Sequence, residues 1–127
     1  LKNLIYMIMD TFSGDLSAFF AQDQDCLRAM LLGVNGIGKE TADSICCYAA
    51  DRTIFVVDAY TGRILLRHGI IDSGWDYDGI QTIFEAGLLP QLDVYKDLHA
   101  HIVFIGKDFC KAKSPRCDAC PLNGWML

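Results

Sequence analysis

Apolar positions recur along most of the chain with the spacing of helices. Leu1, Leu4, Ile5, Ile8 and Met9 make a 3-1-3-1 stripe and predict a helix over Leu1 to Phe12. Ser13-Gly14-Asp15 ends it, and Leu16 to Phe20 has room for one short helical turn. Gln24 to Leu32 predicts a second full helix, with Leu27, Met30 and Leu31 on one face. Gly33-Val34-Asn35-Gly36-Ile37-Gly38 holds three glycines in six residues and reads as a turn. A third helix is expected from Lys39 to Ala50, burying Ala42, Ile45, Cys46 and Ala49.

Thr53 to Val57 is β-branched and apolar, the composition of a buried strand. No second such run exists to pair with it, so it is read as an extended, buried connector. Asp58 then starts a helix over Ala59 to His68 with Ile64 and Leu65 inward. Ile70 to Tyr77 is a loop. Asp78 to Leu88 and Leu92 to Phe109 are two further helices, separated by Pro90. The tail from Cys110 has little periodicity. The expected class is all-α, with no repeats. Residues 1–109 form the helical part, a helix–turn–helix lies within about 24–51, and 110–127 is a Cys-rich loop.

A length of 127 residues argues for one domain, large enough to bury a real core. Hydrophobic residues make up 52% and charged ones 21%, and mean hydropathy is +0.23, which excludes a disordered chain. Apolar runs such as Ile102–Ile105 and Ile54–Val57 fall far short of the ~20 residues of a membrane span. A soluble chain with no membrane partner is expected, and no signal-peptide pattern is present. The chain begins at Leu1 inside a helical pattern, which predicts a piece of a longer protein. A net charge of −5 and pI of about 4.9 argue against nucleic-acid binding by bulk positive charge. Binding through backbone amides and a few local cations stays open.

The six cysteines fall into two groups. Cys26, Cys46 and Cys47 sit in helical, apolar context and read as core filler. Cys110, Cys117 and Cys120 follow a C-x6-C-x2-C spacing. Clustered thiols without an export signal more often bind metal than form a disulfide framework. The glycine turn has two readings. It is an ordinary helix–helix turn, or its amides and the following helix start offer an anion site for a phosphate, with Ile37 turned inward to lock the helices. Asp58 is a preferred helix N-cap, and it is also a carboxylate delivered by an apolar run.

Three blocks occur in a telling order: Leu32-Gly33-Val34-Asn35-Gly36-Ile37-Gly38-Lys39-Glu40-Thr41-Ala42-Asp43, then Phe55-Val56-Val57-Asp58-Ala59-Tyr60-Thr61-Gly62-Arg63-Ile64, then Cys110-x6-Cys117-x2-Cys120-Pro121-Leu122. Together they resemble the helix-hairpin-helix DNA glycosylases of the endonuclease III superfamily. The resemblance covers nearly the whole chain and the later part of the family's fold. It implies a base-excision-repair enzyme, a hydrolase of N-glycosyl bonds acting on damaged bases flipped out of double-stranded DNA. It implies an intracellular, cytoplasmic and nucleoid-associated monomer.

Residue by residue, the resemblance implies that Gly36, Ile37, Gly38 and Lys39 grip the DNA backbone and that Asp58 is catalytic. A fixed carboxylate stabilises an oxocarbenium-like sugar and orients or deprotonates water. Members that also cut the strand carry a lysine where this chain has Glu40. Lys39 sits one place earlier, rotated by about 100° on a helix. A monofunctional glycosylase without lyase activity is therefore expected. Glu40 also suits the third position of a helix, and the structural reading is preferred for it. The Glu-Thr-Ala-Asp run is similar to the 3-methyladenine branch, which implies an alkylated purine substrate. Mismatched adenine, an oxidised pyrimidine, a non-catalytic DNA-binding module and a metal-binding redox or scaffold protein are the rivals.

The family's cysteine loop holds a [4Fe–4S] cluster, normally on four thiolates. Here Cys110, Cys117 and Cys120 match, and the fourth position is Met126. A cluster with a different fourth ligand, vestigial thiols and a zinc site all remain open. Lys107, Lys111, Lys113 and Arg116 make a local basic patch around the loop. Arg63 and Arg67 are expected to meet phosphate or acidic neighbours. His99 and His101 fall on different faces of one helix, one satisfied in the core and one exposed, and Tyr95 shares a face with His99. Phe12, Phe19, Phe20, Tyr48 and Phe104 are expected in the core.

Overall fold

A computed structural model describes residues 1–125 of the chain. Among them it is all-helical, as the periodicity predicts, with no strand. Packing divides the chain into two compact units, Leu1–Ile54 and Phe55–Leu127.

The first unit contains α1 (Lys2–Phe12), α2 (Leu16–Phe20), α3 (Gln24–Leu32) and α4 (Lys39–Ser44). Short acidic caps start two of these. Asp15 accepts the Ala18 amide at 3.0 Å, and Asp23 accepts that of Cys26 at 2.9 Å. Phe19, Leu27, Leu31 and Ala42 are fully buried, and Phe12 and Phe20 flank the Phe19 ring. The stripe on α1 departs from expectation: only Ile8 is buried, while Leu1, Ile5 and Met9 are exposed.

The helix expected to run unbroken to Ala50 changes character. After Ser44 it continues as a π-helical turn, Ile45–Ala49. A π turn closes on the fifth residue rather than the fourth, so it shifts the buried stripe. Cys46 and Cys47 are both buried, and Ala49 and Tyr48 are exposed, against expectation. Burial, with Asp43 nearby, pushes the Cys46 thiol up to about 11, so it stays protonated core filler. Arg52 closes the unit, its Nη2 donating to the Phe20 and Gln22 carbonyls at 2.7 Å each.

The second unit begins with the connector. Val56 and Val57 are buried, and Phe55 is fully so, yet no strand pairs with them. Side chains of α6 (Tyr77–Gly87) replace the missing strand. Glu85 accepts the Phe55 amide at 2.9 Å, and Gln81, itself buried, donates to the Phe55 carbonyl at 2.7 Å. Glu85 and Gln81 are one helical turn apart, which is why the main chain of one residue can engage both. The Phe55 ring stacks on Phe84 at 4.1 Å and meets Tyr95 edge-on at 5.7 Å.

Helices α5 (Ala59–Arg67) and α7 (Leu92–Asp108) complete this core with Ile64, Leu65 and Ile102. They approach closely because Gly106 has no side chain: a methyl there would lie 2.6 Å from Tyr60 Cβ. Phe104, expected inside, is exposed. The tail ends in a short 3-10 turn, Cys117–Ala119. No described helix is long and apolar enough to cross a membrane.

Candidate functional site

The residues singled out by sequence fall in three places. The first is the hairpin between α3 and α4. Gly36 has φ +93°, a left-handed conformation that favours glycine. Ile37 donates its amide to the Val34 carbonyl at 3.0 Å, closing the turn. The packed residue of the turn is Val34; Ile37, expected inward, is only half-buried. At Gly36 and Gly38 a Cβ would meet nothing within 4 Å, so both glycines border open space. Gly38 precedes α4 with no side-chain cap. Lys39 and Glu40 occupy the first two positions of α4, so Glu40 stands second rather than third, and it is exposed.

The end of that sequence block has a different task. Asp43 is completely buried, and Arg28 grips it with Nε at 2.6 Å and Nη2 at 3.1 Å. This two-point pair ties α3 to α4 and sets the hairpin angle. Spacing alone does not betray it, because the partners lie 15 residues apart on different helices.

The second place is the start of α5. Asp58 is its N-cap, in a reciprocal box with Thr61. Oδ1 accepts the Thr61 amide and hydroxyl, both at 2.8 Å. Oδ2 lies 3.3 Å from His99 Nε2 on α7. Both side chains are nearly buried. Burial pushes the Asp58 carboxyl up, but His99 and Thr61 together outweigh it and hold the group below its ordinary value of 3.8. Structural cap and poised carboxylate are thus the same residue. By sequence His99 shares a helix face with Tyr95 and resembles a position near the family's active-site cleft; its pairing with Asp58 needs α7 to meet α5, which no local pattern reveals. Of the two histidines His101 is the exposed one, and it bonds back to the Asp97 carbonyl.

The third place is the cysteine loop. Cys110, Cys117 and Cys120 are free thiols that line one chamber of about 390 Å³. The arginines of α5 hold it open. Arg63 donates to the Cys110 and Gly106 carbonyls at 2.7 and 3.0 Å. Arg67 donates to the Lys111 and Ala112 carbonyls at 2.7 and 2.8 Å, and its Nη1 lies 3.3 Å from Cys110 Sγ. Both arginines were expected to meet phosphate or acidic groups; main-chain carbonyls at the end of α7 take that place. Lys107, Lys111, Lys113 and Arg116 are exposed, as a basic patch requires.

Among the described residues no three Cys, His, Asp or Glu side chains converge closely enough to hold one metal ion. A single zinc needs its donors about 2.0–2.3 Å from one centre. A cubane of four irons spreads its ligands around a larger body, and three thiols facing a shared chamber with a guanidinium beside one sulfur suit it. The donor set therefore fits a [4Fe–4S] cluster better than zinc. Met126 lies outside the described residues.

Residues 110–125 match the model of the iron–sulfur binding domain of endonuclease III. A protein of Methanocaldococcus jannaschii, provisionally named a DNA repair glycosylase, is 46% identical, aligned over all of this chain and 58% of its own length. This chain is similar to the endonuclease III superfamily. An adenine DNA glycosylase of Mycolicibacterium smegmatis is 34% identical over 73% of the chain and 32% of that protein. The endonuclease III of Bacillus subtilis is 29% identical over 96% of the chain and 51% of that protein. The chain thus spans about a third to three-fifths of these relatives, 32% to 58%. Cys110, Cys117 and Cys120 lie within the matched residues 110–125.

Proposed function

We propose that the protein carrying this chain is a monofunctional DNA glycosylase that hydrolyses the N-glycosidic bond of a damaged base flipped from duplex DNA. The observation that carries the reading is Asp58, a nearly buried carboxylate with one oxygen committed to its helix cap and the other turned to His99. As the bond to the base breaks, its electron pair leaves with the base and positive charge develops on the sugar. An ionised Asp58 stabilises that charge. Water then adds at the sugar carbon and gives up its proton. A carboxylate held below 3.8 is a weak base, so the electrostatic role outweighs proton abstraction.

Glu40 stands where strand-cutting relatives need an amine. Without an amine no Schiff base forms, and the product is an intact strand with an abasic site. The open face of Gly36 and Gly38, with Lys39, is the proposed grip on the DNA backbone. The exposed Lys111, Lys113 and Arg116 add local cations to an acidic chain. An alkylated purine is the proposed substrate, since a cationic base is already a good leaving group. The similarity to adenine DNA glycosylases supports mismatched adenine as a second reading.

The test is excision from duplexes holding an alkylated purine or a mismatched adenine, scored with and without hot alkali. It uses this chain and the longest form of the protein that contains it. Breaks that need alkali and disappear in Asp58→Asn support the proposal. Breaks without alkali would show a lyase and overturn the argument from Glu40. Duplex binding without excision of either base, equal in Asp58→Asn, would leave a binding module.

A further inference from the structure

Three thiolates leave a [4Fe–4S] cluster one ligand short, and the family's fourth position holds a thioether residue. The chamber lined by Cys110, Cys117 and Cys120 has one more residue with a strong metal-binding atom, His68. We infer that the His68 imidazole is the fourth ligand of the cluster, through Nε2. This inference rests on the cofactor reading given above.

Two observations carry it. His68 Nδ1 lies 2.6 Å from the Trp125 carbonyl oxygen. A carbonyl only accepts, so Nδ1 carries the hydrogen and the lone pair is on Nε2. Metal-ligating histidines are held this way, with the other ring nitrogen donating to a carbonyl or carboxylate. In sequence Trp125 directly precedes position 126, where the spacing C-x6-C-x2-C-x5-C calls for its last ligand. The imidazole is therefore held by the residue next to the position where a cysteine is missing.

The second observation is how His68 is mounted. It is the C-cap of α5, directly after Arg67. Arg67 and Arg63 fix that helix to the carbonyls of Gly106, Cys110, Lys111 and Ala112. Imidazole and thiols are thus carried by elements already bound to each other. His68 also lines a neighbouring apolar chamber with Ile64, Leu98 and Leu122, which walls the site on its far side. On ligation each cysteine gives up a proton, while the imidazole donates a lone pair and gives up none. The cluster is therefore one unit less negative than with four thiolates, and its reduction potential is higher. Histidine ligation has that effect in other iron–sulfur centres.

The experiment reconstitutes the protein with ferrous iron and sulfide under reducing conditions, as wild type, His68→Ala and His68→Cys. Iron and sulfide are counted, the reduction potential is measured, and nitrogen hyperfine coupling is read by pulsed EPR on protein labelled with 15N-histidine. The wild type should bind about four irons and four sulfides per chain and show one histidine coupling. His68→Ala should lose the coupling and at least half the iron. His68→Cys should keep the cluster at a lower potential without the coupling. An intact wild-type cluster with no histidine coupling overturns the His68 assignment and leaves the cofactor reading standing. A wild type that binds no cluster overturns both. The coupling is read on the wild type, so the test survives if His68→Ala fails to fold.

Discussion

Asp58 and His99, 41 positions apart, bring Oδ2 and Nε2 to 3.3 Å where α7 crosses the start of α5. The same carboxylate holds the helix cap through its other oxygen. The residue that starts α5 therefore has little freedom to turn, which suits the electrostatic role proposed for it.

That pairing predicts a titration. The Asp58 carboxyl should titrate below 3.8 in the wild type and rise toward it in His99→Leu, read by 13C NMR of the carboxyl group. The linkage has a definite sign. A group whose pKa is lowered by folding stabilises the fold above its unfolded value, and the contribution is lost as pH falls through the folded one. The stability gap between wild type and Asp58→Asn should be level from about pH 5 upward and close below 3.8. A gap that widens in acid would contradict the assignment.

The main chain of Phe55 depends on two α6 side chains. Gln81→Leu leaves the Phe55 carbonyl buried without that partner and should cost about 1–3 kcal/mol in denaturant unfolding. Thr82→Ala, one residue on and exposed, is the control, and its loss should be well under 1 kcal/mol, roughly the scale of exposed-site changes.

Gly106 permits the α5–α7 contact. Gly106→Ala pushes a methyl into Tyr60 and should destabilise by about 1–3 kcal/mol, although alanine is the better helix former. Tyr60→Ala in the same chain should recover part of that loss, because it removes the clash.

The hairpin separates conformation from space. A methyl at Gly36 or Gly38 meets nothing, but only Gly36 has a left-handed backbone. Gly36→Ala should cost about 1–2 kcal/mol of stability and Gly38→Ala much less. Both should weaken duplex binding if this face meets DNA, measured by fluorescence anisotropy.

Arg28 and Asp43 form the most exacting pair of the first unit. Arg28→Met removes the two-point partner of a fully buried carboxylate and should cost about 3–5 kcal/mol. The double variant Arg28→Met/Asp43→Leu should lose much less, because no buried charge is left unmatched.

Much of this was legible from residues in order. Period-3.6 stripes located the helices, three glycines marked the hairpin, and the lack of a second β-branched run ruled out a sheet around Phe55. Asp58 was legible as a cap because capping is a local interaction, completed within three residues by Thr61. Two of the departures concern aromatic residues. Phe104 and Tyr48 were expected inside because they are aromatic, but the π turn after Ser44 and the phase of α7 decide which side they face.

Sequence by itself determined the helices, the hairpin, the cap and the cysteine spacing, because each rests on contacts a few residues apart. Only the tertiary structure decided what those pieces touch. It set His99 against Asp58, Arg28 against Asp43, the two α5 arginines on carbonyls rather than anions, and His68 beside the three thiols. Such pairs join residues 15 or more positions apart. Their geometry is fixed by how helices cross, and that follows from the shape of the packed core rather than from any spacing along the chain.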